Sequence, residues 1–194
     1  MSVSLSKGQQ VSLRKASGES LSLVRMGLGW RAAPKRGLFG SRTRQIDLDA
    51  SALLYAEHTP ADVVFFQQLV SKDGSVRHTG DNLVGGAGAG ADDESIVVDL
   101  TRIPERITQV VFTVSSYTGQ TFAEVQNAHC RLLDELTNQE LARYDLAGGG
   151  GHTGQIMAKV FREPSGGGWG MQAIGAPAKA RTFQDLLPAI EPFL

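Results

Sequence analysis

Along much of the chain the apolar residues recur at a spacing of two. Val11-x-Leu13, Leu21-x-Leu23, Ile46-x-Leu48, Ile96-x-Val98 and the run QVVFTVSS from Gln109 all show it, and this alternation marks half-buried strands. ELARYDL (Glu140 to Leu146), QIMAKVF (Gln155 to Phe161) and WGMQAI (Trp169 to Ile174) continue the pattern. Glycine runs at Gly148 to Gly151 and Gly166 to Gly168 separate them, which predicts two hairpin-like connections. About ten strands with few long amphipathic windows between them favour stacked antiparallel sheets over a βαβ alternation. The expected fold is all-β, a β-sandwich of two antiparallel sheets, with residues 1–194 forming one domain.

Two windows depart from this spacing. Phe183, Leu186, Leu187 and Ile190 fall at helical intervals behind Thr182-Phe183-Gln184-Asp185, a capping-type start, so a short C-terminal helix is predicted, slightly disturbed by Pro188. Phe122 to Leu136 fits either a helix or a helix followed by a strand. The longest predicted loop runs from Trp30 to Gln45 and holds Arg31, Lys35, Arg36, Arg42 and Arg44 with no acid. Such a run is either a solvated connection or a contact for phosphates or an acidic partner. Leu38-Phe39 within it slightly favours a protein contact.

Composition adds limits. With 194 residues and a net charge of −1, no apolar run approaching the ~18 residues of a membrane helix, no apolar signal core at the start and one cysteine, a soluble cytoplasmic protein is expected. Charge is nevertheless segregated. Residues 1–46 carry nine Lys/Arg and one Glu, whereas residues 47–105 carry three Lys/Arg and eleven Asp/Glu. From His78 to Thr101 there is no Lys or Arg, yet Asp81, Asp92, Asp93, Glu94 and Asp99 lie there. Two carboxylates ~4 Å apart repel by roughly 4 kcal/mol at an effective dielectric of ~20, so any convergence of these groups calls for a counter-ion, with a metal the natural candidate.

The window HTGDNLVGGAGAGADDE, His78 to Glu94, concentrates acids and glycines. Calcium takes six to eight oxygens, from carboxylates, side-chain amides and backbone carbonyls. Asp81, Asn82, Asp92, Asp93 and Glu94 supply side-chain oxygens, while Gly85, Gly86, Gly88 and Gly90 let the backbone turn its carbonyls inward. In IDLDASALL, Asp47 and Asp49 straddle Leu48; on a strand both project to one face while Leu48 enters the core. The same residues also fit a solvated turn and the wet face of a strand.

Other chemistries find less support. EF-hand spacing and tandem calcium nonapeptides are absent. Cys130 with His58, His78, His129 and His152 widely scattered gives no zinc spacing. There is no nucleophile elbow, P-loop or dinucleotide fingerprint, and Cys130 in an alternating stretch reads as a small buried hydrophobe.

Six motifs in order, MSVSLSKGQQVSL at the start, GLGW at Gly27 to Trp30, DLDASALL at Asp47 to Leu54, DGSVRHTGDN at Asp73 to Asn82, DDE at Asp92 to Glu94 and ELARYDL, together resemble the TerD family of bacterial stress proteins associated with tellurite resistance. The resemblance implies a cytoplasmic β-sandwich that binds calcium through loop carboxylates and has no established enzymatic activity. It carries the ligand set onto Asp47, Asp49, Asp81, Asn82, Asp92, Asp93 and Glu94, with the Gly90 backbone beside them. Three departures stand out: the uncharged LVGGAGAGA between D-N and D-D-E, Arg31 after GLGW, and AGGGGHTGQ after ARYDL. Fewer anionic ligands imply weaker binding, and one strong site is expected rather than two. The expected partners are a calcium ion and other stress-response proteins, with neither membrane insertion nor nucleic acid. The alternative is a protein-interaction scaffold in which metal is incidental.

Overall fold

The computed structural model describes residues 3–4, 6–15, 17–32, 34–37, 40–43, 47–80, 92–145, 150–164 and 167–194. Among these, two six-stranded sheets face each other. The first runs β1 (Val3–Ser4), β12 (Gln139–Asp145), β11 (Val125–Asp134), β3 (Leu23–Ala32), β9 (Glu94–Asp99) and β8 (Val76–His78). The second runs β2 (Gln10–Ser12), β14 (Trp169–Ala178), β13 (Gly154–Arg162), β10 (Gln109–Ser116), β6 (Leu48–Ala56) and β7 (Thr59–Val64). All neighbours are antiparallel except β1, which joins β12 in parallel. The expected sandwich is therefore present.

The two-residue period sorts the core. On β6, Leu48, Ala50, Ala52 and Leu54 point between the sheets and meet Met26, Leu28, Trp30, Ile96 and Val98 of the first sheet. Leu53 and Tyr55 point the other way and join Val111 and Ile156 beneath helix α1 (Phe183–Ile190). The helix buries Leu186 and Ile190 on that outer face, so sheet two is apolar on both sides where α1 lies. Cys130 is buried in the main core, as its alternating surroundings suggest.

Helix α1 starts as its sequence predicts and runs through Pro188. The Asp185 carboxylate accepts the backbone N–H groups of Arg181 (2.9 Å) and Thr182 (3.1 Å), and these bonds hold its carboxyl below the usual range. A carboxyl with a lowered folded-state pKa stabilises above its unfolded value near ~4, and that contribution fades as pH falls through the lowered pKa. Asp185→Ala is expected to cost about 1 kcal/mol at neutral pH. Melts of the two proteins between pH 7 and pH 2 should converge at the acid end, and a gap independent of pH would contradict the assignment.

Three expectations need correction. The stretch from Trp30 to Gln45 is not one long loop: β3 extends to Ala32, and β4 (Pro34–Gly37) pairs with β5 (Gly40–Thr43) in a separate two-stranded ribbon. Strands built from polar and basic residues show no hydrophobic period, so spacing alone could not reveal them. Leu38 and Phe39 lie outside the described residues. Secondly, the glycine run after β12 does not close a hairpin, because β12 belongs to the first sheet and β13 to the second. Glycines mark a turn without naming the partner strand. The other glycine run does join a hairpin, β13 to β14. Thirdly, fourteen strands appear among the described residues rather than about ten, because short strands such as β1 and β8 are too brief to show a period and the basic β4 and β5 carry none. Phe122 to Leu136 resolves into a 3₁₀ turn, Phe122–Glu124, followed by β11.

Candidate metal centre

Four of the five described candidate acids sit at one end of the sandwich through local strand geometry. Asp47 directly precedes β6 and Asp49 is its second residue, only 6% exposed, while Leu48 between them is fully buried in the core. Leu48 therefore enters the core as predicted, with Asp49 beside it on the strand. Asp93 and Glu94 lie at the start of β9, and the Glu94 side chain crosses between the sheets. Its Oε2 accepts the Ala50 N–H at 2.9 Å. β7 pairs with β6 only from Ala52 onward, so Glu94 serves a backbone donor that the sheet edge leaves over. This bond places the last acid of D-D-E against D-L-D-A.

His78 completes that corner. Its Nδ1 accepts the Gly80 N–H at 3.1 Å, and its Nε2 lies 3.4 Å from Glu94 Oε2. Both side chains are essentially buried. Glu94→Ala would leave the Ala50 N–H unsatisfied and is expected to cost about 1–3 kcal/mol. Urea denaturation would measure this, and a loss under a few tenths would mean water replaces the carboxylate.

Asp92 points elsewhere. Arg131 on β11 grips it with two bonds, Nε to Oδ1 at 2.7 Å and Nη2 to Oδ2 at 3.1 Å. Hydrogen bonding to the Asp92 carboxylate is the main influence raising the Arg131 pKa, so the guanidinium stays charged. The carboxylate lies flat on Gly27 of β3: a Cβ there would stand 2.2 Å from its Cγ. Asp93 Oδ2 accepts the Trp30 N–H at 2.8 Å, and the Asp93 N–H donates to Leu28 O at 2.7 Å. On the other side, Thr79 and Ser95 bond reciprocally, Thr79 N to Ser95 O at 2.9 Å and Ser95 N to Thr79 Oγ1 at 3.1 Å. The two ends of the glycine-rich segment are thus fastened to adjacent points of the first sheet.

Asp81, Asn82 and Gly90 lie outside the described residues. Among the described residues, no three His, Cys, Asp or Glu side chains converge in a metal-ligating cluster. The structure brings Glu94 to the D-L-D-A strand, ties Asp93 to β3 and gives Asp92 an organic counter-ion. The sequence reading missed Arg131 and the role of His78. Arg131 has no local signal, being separated from Asp92 by 39 residues, and His78 stands in the acidic window but its contact with Glu94 depends on the pairing of β8 with β9.

Comparison with known proteins agrees with this architecture. The TerD domain family matches residues 1–188. The chain belongs to the TerD family. This TerD chain is 43% identical over 188 residues to the tellurium resistance protein TerZ of Serratia marcescens, covering 95% of this chain and 94% of that protein. It is 36% identical over 200 residues to the stress response protein SCP2 of Bacillus subtilis (strain 168), covering 96% and 98%. The crystal structure of a homologue of telluride resistance protein (TerD) from Streptomyces coelicolor A3(2) superimposes with a TM-score of 0.71 at 23% identity, covering 87% of this chain and 96% of that one. That likeness shows the shared fold. Among the described residues of this TerD protein no helix is long and apolar enough to cross a membrane.

Proposed function

We infer that this chain is a cytoplasmic, non-enzymatic calcium-binding module of the tellurium-resistance and stress response. The observation that carries the reading is the Glu94–Ala50 bond, which holds the D-L-D-A strand against the base of the acid and glycine loop. The candidate ligands there, Asp47, Asp49 and Asp93, present carboxylate oxygens, which suit a hard divalent cation. Asp47 and Asp49 would hold the ion together with Asp81, Asn82, the Gly90 carbonyl and Asp93. Asp92 and Glu94 are committed to Arg131 and to Ala50 with His78, so in this reading they anchor the loop and are not ligands. Bound calcium supplies electrostatic cross-linking between strand and loop.

Thermal melts in calcium and in chelator test the proposal. An ion that binds only the folded state stabilises it by about 2.7 kcal/mol at a hundred times Kd, or roughly 5–10 °C for a chain of this size. Coincident curves, with no heat of binding on calcium titration, would reject it. The scaffold reading draws on a different observation, the separate β4–β5 ribbon that bears Lys35, Arg36 and Arg42. Salt-sensitive self-association that persists in chelator would favour it.

A further inference from the structure

The outer face of the second sheet changes character along its length. Beneath α1 it presents Leu53, Tyr55, Val111 and Ile156. Toward the start of β6 the same face presents Asp49, Ser51, Thr113 and Ser115, exposed by only 6%, 3%, 2% and 3%. They are cross-strand pairs, Ser115 opposite Asp49 and Thr113 opposite Ser51. Four buried polar side chains together on one sheet face are far less usual than four apolar ones. What covers them is aromatic: Phe65 and Phe66 from the turn after β7, Phe183 from α1, and Tyr117 beyond β10. Phe65 meets Phe66 edge-on at 5.5 Å and Phe183 at 4.9 Å, and Phe66 meets Tyr117 at 6.1 Å. Between rings and floor lies a cleft of about 220 Å³ with Asp49, Ser51 and Ser115 at its base and Arg181 on its lining. Tyr117 is 52% exposed, so the ring wall reaches solvent.

We propose that this cleft is a binding site for an alkylammonium group, carried by a free amine or by a lysine side chain. Aromatic faces carry negative quadrupole charge and attract a cation within about 6 Å of a ring centroid. The buried Asp49 carboxylate accepts the ammonium hydrogens, and the Ser51 and Ser115 hydroxyls accept others. The volume is below the roughly 300–1,000 Å³ of drug-sized sites, which suits one small cationic group. Arg181 is the competing cation at the rim. Its guanidinium lies over Gly119, with Nε and Nη2 3.4 Å from where a Cβ there would stand.

The test is calorimetric titration of the full chain in chelator with n-butylammonium, with Nα-acetyl-lysine methylamide as the side-chain arm and n-butanol as the uncharged control. Both amines are expected to saturate and to compete with each other, and butanol is expected not to bind. Saturation by one amine alone supports the site and names its source. Tyr117→Ala and Phe66→Ala should each weaken binding about tenfold, Asp49→Asn should abolish it, and Arg181→Gln should tighten it. The exposed Tyr117 keeps the test valid if Asp49→Asn fails to fold. The proposal is overturned if neither amine saturates, if butanol binds as well, or if Tyr117→Ala binds butylammonium unchanged. Calcium shares Asp49 and should compete with the amine. Because the titration is run in chelator, failure of the calcium reading leaves it intact.

Discussion

Gly27→Ala is expected to unfold at a temperature roughly 6–12 °C below the parent, a loss of about 3 kcal/mol for a domain of this size. The cause is narrow. A methyl group at Gly27 would stand 2.2–2.4 Å from the three terminal atoms of the Asp92 carboxylate, closer than any nonbonded contact allows. The carboxylate must leave, and in leaving it breaks both bonds to Arg131. Asp92 is 6% and Arg131 19% exposed in their side chains, so Asp92 has shed most of its water and depends on Arg131, which also lies 3.6 Å from Glu140. Separating a pair in that condition costs far more than separating an exposed one. Arg131→Met should be similarly destabilising, because it leaves Asp92 charged without its guanidinium. Since the two changes remove the same interaction, their double variant should cost clearly less than their sum. Additive losses in urea denaturation would show that Gly27 matters for something other than seating Asp92.

The same contact shows where reading from sequence ends. The strands are legible where, as in β6, Leu48 and Ala50 alternate with Asp49 and Ser51, because a sheet with two distinct faces imposes that period on its own sequence; from Ala52 to Tyr55, where α1 covers the outer face, both faces are apolar. Helix α1 is legible because Thr182 and Asp185 act within one turn. The acidic window is legible as composition, and the Leu48–Asp49 pair even discloses that one side chain enters the core while the next does not. The partners are not. From His78 to Thr101 no cation appears in sequence, which argued for a metal; in the fold, Arg131 arrives from two strands away and neutralises one of those acids. Glu94 reaches across the sandwich to a backbone donor exposed because β7 stops short. Both contacts depend on strand order, a property of pairing that no local pattern encodes. The β4–β5 ribbon was hidden for another reason, since a pair of strands rich in basic residues leaves no apolar alternation.

The separation of acids into anchors and proposed ligands makes the calcium reading testable in a way that composition alone would not. Asp47→Asn with Asp49→Asn keeps side-chain shape but removes two charges, so the calcium-dependent rise of about 5–10 °C is expected to vanish. In chelator the same variant should melt at or above the parent. Two carboxylates two residues apart on an extended chain, ~6.6 Å between their positions, repel each other by up to roughly 2.5 kcal/mol at an effective dielectric of ~20. Asp92→Asn should behave oppositely, because its carboxylate already belongs to Arg131. It should lower both melts by similar amounts and preserve most of the difference between them. Asp93→Asn discriminates further: its side-chain oxygen can still accept the Trp30 N–H, so the chelator melt should hold while calcium affinity falls with the lost charge. If Asp92→Asn abolished the calcium response and the Asp47/Asp49 variant retained it, the ion would sit on the Arg131 side of the loop, and the bridge to the D-L-D-A strand would have to be abandoned.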